Sequence, residues 1–191
     1  MSDETEKPSK KLGGWPAARQ RLITWDQPAL LALVKDLYDA DAGSRDFIHA
    51  HCQAEEDGGG EVLEIYRCKI VEQFFPKRGE GKLKLGEARK AIRDYRKATG
   101  NIPGTAELLM AYVENGAKFT HLYGDIDERF YSSVESALNE LATLLRGPAR
   151  EIYPRLSARL AKVEQMTDGI GWGFHDLIAD VVGELEDELS T

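Results

Sequence analysis

Apolar residues recur every three to four positions from Leu30 to Leu189. That spacing follows the 3.6-residue turn of an α-helix, whereas a half-buried strand alternates at every second residue. No period-two run of β-branched residues occurs. Asp57-Gly58 opens a glycine run and Asp168-Gly169 closes a helical pattern, so neither marks a hairpin. The pattern predicts an all-α domain.

It divides into about eight helices. The first spans about 27 to 38, with Asp26 or Thr24 as its cap, Pro28 in its first turn, and Leu30, Val34 and Leu37 on one face. The second covers 44 to about 55, capped by Ser44. The third, about 61 to 75, aligns Leu63, Tyr66, Ile70 and Phe74 until Pro76 stops it. The fourth, about 87 to 99, buries Ala88, Ala91, Ile92 and Tyr95 and closes at Gly100. Thr105 caps a short fifth helix, which Asn115-Gly116 ends.

The sixth, about 128 to 146, carries Phe130, Val134, Ala137, Leu138, Leu141 and Leu145 and is the clearest amphipath. Gly147-Pro148 stops it. The seventh, 149 to about 166, uses Ile152, Leu156, Leu160 and Val163, and Pro154 draws its start toward Tyr153. The eighth, about 174 to 189, uses Phe174, Leu177, Ile178, Val181, Leu185 and Leu189. Short joints between such helices imply packed antiparallel hairpins, in outline a short α-solenoid-like bundle, although no fixed-period motif repeats. Residues 1–20, polar and holding Pro8, Gly13, Gly14 and Pro16, read as a mobile N-terminal arm. Residues 21–191 read as one helical domain with an acidic C-terminal helix.

Composition sharpens the class. At 191 residues, 42% hydrophobic and 30% charged, the chain matches a soluble globular domain. Cys52 and Cys68 fall inside helical patterns without paired spacing, so they read as buried thiols of a reducing compartment. No apolar run approaches the ~20 residues of a membrane span, and the N-terminal segment lacks the apolar core of a secretory signal. The expectation is a cytoplasmic protein with no membrane contact.

Net charge is −8, which disfavours a general nucleic-acid coat. The charge is unevenly spread. Lys77, Arg78, Lys82, Lys84, Arg89, Lys90, Arg93, Arg96 and Lys97 form a basic segment, and from Asp176 onward the chain carries six acids and no base. The basic segment is therefore a candidate patch, either for the chain's own acidic tail, ranked first, or for nucleic acid, with a solvated face that has no specific partner as the plain alternative.

Candidate chemistry gathers at two motifs. In His121-Leu-Tyr-Gly-Asp-Ile-Asp-Glu128, Asp125 and Glu128 have the spacing of a capping box, with Asp127 at the positive helix end. The functional alternative is a polar site of His121, Asp125, Asp127, Glu128, His175 and Asp176, able to hold Mg²⁺ or Ca²⁺. Gly169-Ile-Gly171-Trp172-Gly173-Phe174 puts glycines and aromatics into one joint. It looks like a phosphate cradle but follows a helix rather than a strand, so a packed joint with Trp172 and Phe174 turned inward is the better reading. His175 is then placed to clasp a carboxylate at the Asp125–Glu128 helix start. His49 and Cys52 make half a zinc pair with no second half, and neither a metal nor a cofactor is assigned.

Glu72-Gln-Phe-Phe-Pro76, Lys82-Leu-Lys-Leu85 leading into Glu87-Ala-Arg-Lys-Ala-Ile92, Tyr112-Val-Glu-Asn-Gly116, Tyr123-Gly-Asp-Ile-Asp-Glu128 with Phe130-Tyr131, and Gly169 to Asp176 follow one another in order. Together they resemble a bacterial family of small all-helical proteins of unknown function, over about residues 25 to 182. Gly86 stands where such sequences often place a Ser cap. The resemblance implies no activity and no catalytic residue. The expectation is a non-enzymatic helical interaction module, with a protein partner ranked first. The alternatives are a small metal- or phosphate-dependent enzyme centred on Asp125, Asp127 and His175, and nucleic-acid binding through 77–97.

Overall fold

Among the residues described by the computed structural model (14–53, 60–171 and 173–189), nine α-helices and one 3-10 turn make up the regular structure, and no strand occurs. The helices are α1 (Trp15–Leu22), α2 (Gln27–Ala40), α3 (Ala42–Gln53), α4 (Gly60–Phe74), α5 (Leu85–Thr99), α6 (Ile102–Tyr123), α7 (Glu128–Arg146), α8 (Tyr153–Thr167) and α9 (Phe174–Leu189). The 3-10 turn, Arg150–Ile152, precedes α8 and places Pro154 in that helix's first turn. No described helix is long and apolar enough to cross a membrane.

The chain forms two units, the first ending at Asp46 and the second beginning at Phe47. In the first, Asp26 caps α2 as expected, its carboxylate accepting from the Ala29 amide at 2.9 Å. Ser44 does not cap the next helix. Asp41 does, accepting from the Ser44 amide at 3.0 Å and from the Ser44 hydroxyl at 2.7 Å, because a carboxylate satisfies two donors where a hydroxyl satisfies one. The helix α1 begins within the stretch read as a mobile arm, while residues 1–13 lie outside the described residues. Neither α1 nor α2 buries a residue.

The second unit is arranged around α6. This helix packs against α4, α5, α7 and α8, and α9 lies on α7 and α8. Contacts that skip along the sequence in this way make a bundle rather than a solenoid, in which each repeat touches only its neighbours. At 22 residues, α6 runs through the expected stop at Asn115-Gly116. Asn101, not Thr105, is its cap, accepting from the Gly104 amide at 2.8 Å. Thr105 is buried in the first turn and donates to the Asn101 carbonyl at 2.7 Å.

Asn115 turns its amide back on the Ala111 carbonyl at 2.7 Å and stays helical. Gly116 is small because α7 crosses there: a Cβ added to it would lie 2.6 Å from Val134 Cγ2. At the other end of α6, a Cβ on Gly104 would lie 2.2 Å from the Tyr95 hydroxyl. Both glycines admit a neighbouring helix instead of ending their own.

The core is also tied by rings. Phe74 of α4 meets Tyr112 of α6 edge-on at 5.3 Å and Phe130 of α7 at 6.4 Å. Phe130 meets Tyr131 at 5.5 Å, and Tyr131 meets Phe174 of α9 at 4.8 Å. Of these, the edge-on pairs Phe74–Tyr112, Phe74–Phe130 and Phe130–Tyr131 each add about 0.5–1.5 kcal/mol beyond burial. The cysteines correct the sequence reading. Cys52 and Cys68 are both exposed, since the core faces of α3 and α4 are taken by residues such as Ala50, Tyr66 and Ile70.

Gly116→Ala tests the α6–α7 crossing. It is expected to cost about 1–3 kcal/mol through overpacking, even though alanine gains about 1 kcal/mol in helix propensity. In a Val134→Ala background the same change is expected to be neutral or stabilising. Urea unfolding of the four variants gives the coupling, and a cost unaffected by Val134→Ala would contradict the packing described.

Candidate functional site

Two sequence motifs meet beside α7. The loop 124–127 joins α6 to α7, and Asp127 is the true cap, accepting from the Phe130 amide at 2.8 Å. Glu128 is the first residue of α7 and too close to that cap to close a capping box. Asp125, expected as the cap, instead accepts from the Tyr131 hydroxyl at 3.2 Å. That hydroxyl also takes the Ile126 amide at 3.2 Å and lies 2.9 Å from the Thr120 hydroxyl. Thr120 donates in turn to the Gly124 carbonyl at 3.1 Å. A buried tyrosine therefore holds the loop from below, which a sequence reading of caps alone misses.

The glycine joint passes on the other side of the same loop. Gly169 and Gly173 sit at φ +77° and +70°, where a side chain would strain the backbone, and Phe174 behind them is fully buried. A Cβ on Gly171 would be 3.9 Å from Asp125 Oδ2, so the joint and the loop are in contact. The inward Phe174 matches the packed-joint reading. Trp172 lies outside the described residues.

The remaining polar residues do not converge with Asp125. His175 Nδ1 is 3.2 Å from the Thr167 hydroxyl, across the joint within its own hairpin, so it does not clasp the start of α7. His121 Nδ1 lies 3.0 Å from the Met166 carbonyl. The two histidines open on separate clefts. One, of about 410 Å³, is lined by His121, Lys118, Leu122, Lys162 and Met166. The other, of about 380 Å³, is lined by His175, Glu164, Gln165 and Asp168. Asp127 spends its carboxylate on a cap, and Asp176 lies in the first turn of α9. Among the described residues, no three His, Cys, Asp or Glu side chains come together as a metal site.

The strongest charged cluster was not singled out by the sequence. Arg159 of α8 grips Glu114 of α6 through two bonds, at 2.7 and 2.6 Å, and takes Glu107 at 2.6 Å. Arg155 adds a contact to Glu107 at 3.3 Å. Hydrogen bonding to Glu114 first, then to Glu107, holds the guanidinium pKa above its already high value, against the opposing pull of burial. Glu107 and Glu114 are seven apart and Arg155 and Arg159 four apart, so each pair shares a helix face. That signal is legible only once α6 and α8 are known to be neighbours.

The basic segment is not one solvent-facing stripe. Arg89 turns inward to Glu140 at 2.7 Å, with Arg96 3.8 Å from the same carboxylate. Lys90 pairs with Asp94 at 2.7 Å, and the Lys97 ammonium sits 5.8 Å from the Phe47 ring centre. Lys77, Arg78, Lys82, Lys84 and Arg93 are exposed. The acidic tail docks elsewhere than expected. Glu184 and Glu188 both bind Arg146, each at 2.7 Å, because α9 lies along α7 and reaches the arginine at its C-terminal end.

No family model, no curated protein and no solved structure matches the chain.

Two outcomes follow from these contacts. Tyr131→Phe leaves the Ile126 amide without its acceptor, so it is expected to cost about 1–3 kcal/mol and to speed hydrogen exchange at Ile126, read by NMR. An unchanged Ile126 exchange rate would show that the hydroxyl does not hold the loop. Burial also pushes the Tyr112 hydroxyl above the usual tyrosine range, opposed by its 2.7 Å bond to Ser133 and by the charge of Arg89. A raised folded-state pKa gives stability that is present below about pH 10 and lost as pH rises through the folded value. Urea midpoints are therefore expected to fall above about pH 10, and to fall less in Tyr112→Phe.

Proposed function

We propose that the chain is a non-enzymatic helical interaction module whose docking element is α2. The observation that carries this reading is the open apolar face of that helix. Leu30, Leu31, Val34 and Leu37 are 36%, 60%, 42% and 49% exposed, and α2 buries nothing. A helix of 14 residues is marginal in water by itself, so a partner packed against that face would stabilise it. A contiguous apolar surface of this kind is a mark of a protein interaction site. The face carries no charge, which favours a protein partner over a polyanion. Asp127 caps α7, while Asp125, His121 and His175 bond to Tyr131, Met166 and Thr167, which supports an interaction role over a catalytic one. The motif resemblance to a bacterial family of all-helical proteins belongs to the same proposal.

The test uses the full chain with Leu31→Glu and Leu37→Glu combined. As docking residues they are expected to leave the urea midpoint of the main unfolding transition within about 0.5 kcal/mol of the parent. A loss of about 3 kcal/mol or more would mean that these leucines are core residues of the chain itself, and would overturn the reading.

A further inference from the structure

We infer that the cleft between α6 and α8 binds a small organic phosphate, a phosphate monoester carried on an apolar body. The site lies in the second unit and does not depend on the reading of α2 as a docking element. The two helices pack against each other there. On α6, Asn115, Lys118 and Leu122 follow at three- and four-residue spacing and share a face, with His121 beside them. On α8, Lys162 and Met166 are four apart and share a face in the same way. Between these faces lies a cleft of about 410 Å³, within the size range of small-molecule sites.

Charge selects the sign of the ligand. Glu114 is the one acid lining the cleft, and Arg159 takes both of its oxygens, at 2.7 and 2.6 Å, so its charge is already answered. Lys118 and Lys162 pair with no carboxylate among the described residues. The Lys118 ammonium lies 5.0 Å from the Phe75 ring centre, a hold weaker than a charge-assisted hydrogen bond to an anion. In a chain with 33 Asp and Glu against 25 Lys and Arg, this cleft is a local excess of positive charge, which concentrates anions. The cleft at His175 has the reverse character, with Glu164 and Asp168 and no lysine or arginine.

The remaining walls define the rest of the ligand. A phosphate monoester carries up to about two charges and three acceptor oxygens, which matches two flexible ammonium groups better than a carboxylate does. His121 donates from Nδ1 to the Met166 carbonyl at 3.0 Å, which fixes the ring and leaves Nε2 as the nitrogen for a ligand. Leu122 is 56% exposed, and Met166 is partly buried against the core. These two side chains are the apolar surface that the body of the ligand would cover.

An NMR titration of the isotope-labelled full chain with phenyl phosphate at low salt tests the site. Amide shifts are expected at Lys118, His121, Leu122, Lys162 and Met166, saturating below about 10 mM. Lys118→Gln combined with Lys162→Gln is expected to weaken binding by about 10-fold or more. Both lysines are exposed, so the urea midpoint is expected to stay at the parent value. Inorganic phosphate is expected to bind at least about 5-fold more weakly, because it sets nothing against Leu122 and Met166. Shifts that do not saturate, shifts confined to α2, or an affinity unchanged in the double variant would each overturn the inference. Equal affinity for inorganic phosphate would overturn the apolar body. Lysine-dependent cosedimentation with phosphatidylglycerol vesicles would overturn the free ligand in favour of a lipid headgroup.

Discussion

Burial of α6 is the constraint on which the main body depends. Thirteen of its 22 residues are buried, so other helices must close around it on several sides. Small residues at the crossings follow from that demand, since Gly104 leaves room for Tyr95 and Gly116 leaves room for Val134. So does the handling of polar groups. Among the described residues the three buried polar ones, Thr105, Thr120 and Thr167, all lie at helix ends and each donates to a backbone carbonyl. Hydroxyls buried this way satisfy their own donors and help to close the helix on which they sit.

Charged pairs then link neighbouring helices. Arg159 ties α8 to α6, Arg89 ties α5 to α7, and Arg146 ties α7 to α9. These arginines lie at the edge of the core, where an ion pair adds little net stability but disfavours a slipped register. The sequence's two charge blocks thus resolve into different pairings from the bulk complementarity they suggested. The acidic tail belongs to Arg146, and the basic segment sends Arg89 inward to Glu140.

Much of the fold was legible because amphipathic helices with one buried face write their period into the sequence. The sixth and eighth expected helices match α7 and α9, and Gly100 closes α5 with φ +64°. What was missed has a common physical cause. A helix buried on most sides loses its amphipathic signature, so α6 showed only its Asn115-Gly116 pair, which resembles a stop. Asp125 and Asp127 are both able to cap, and only the position of the Tyr131 hydroxyl decides between them. Of the candidate polar residues, Asp125 and the glycine joint do meet, through Gly171, whereas the histidines are drawn away by Met166 and Thr167. Sequence spacing carries no information about those distant partners. For α2 the spacing marks the apolar face of Leu30, Val34 and Leu37, which the structure leaves exposed.

Two different kinds of helix occur in one chain: those that complete each other around α6, and α2, whose apolar face stays exposed. Their opening free energies separate the two. Native-state hydrogen exchange across a urea series measures both at once. The account predicts that amides from Leu108 to Val113 exchange only through global unfolding, while those of α2 exchange through a distinct opening of lower free energy and shallower urea dependence. If the α2 amides shared the free energy and slope of α6, the helix would be part of the same core, and the division would be contradicted.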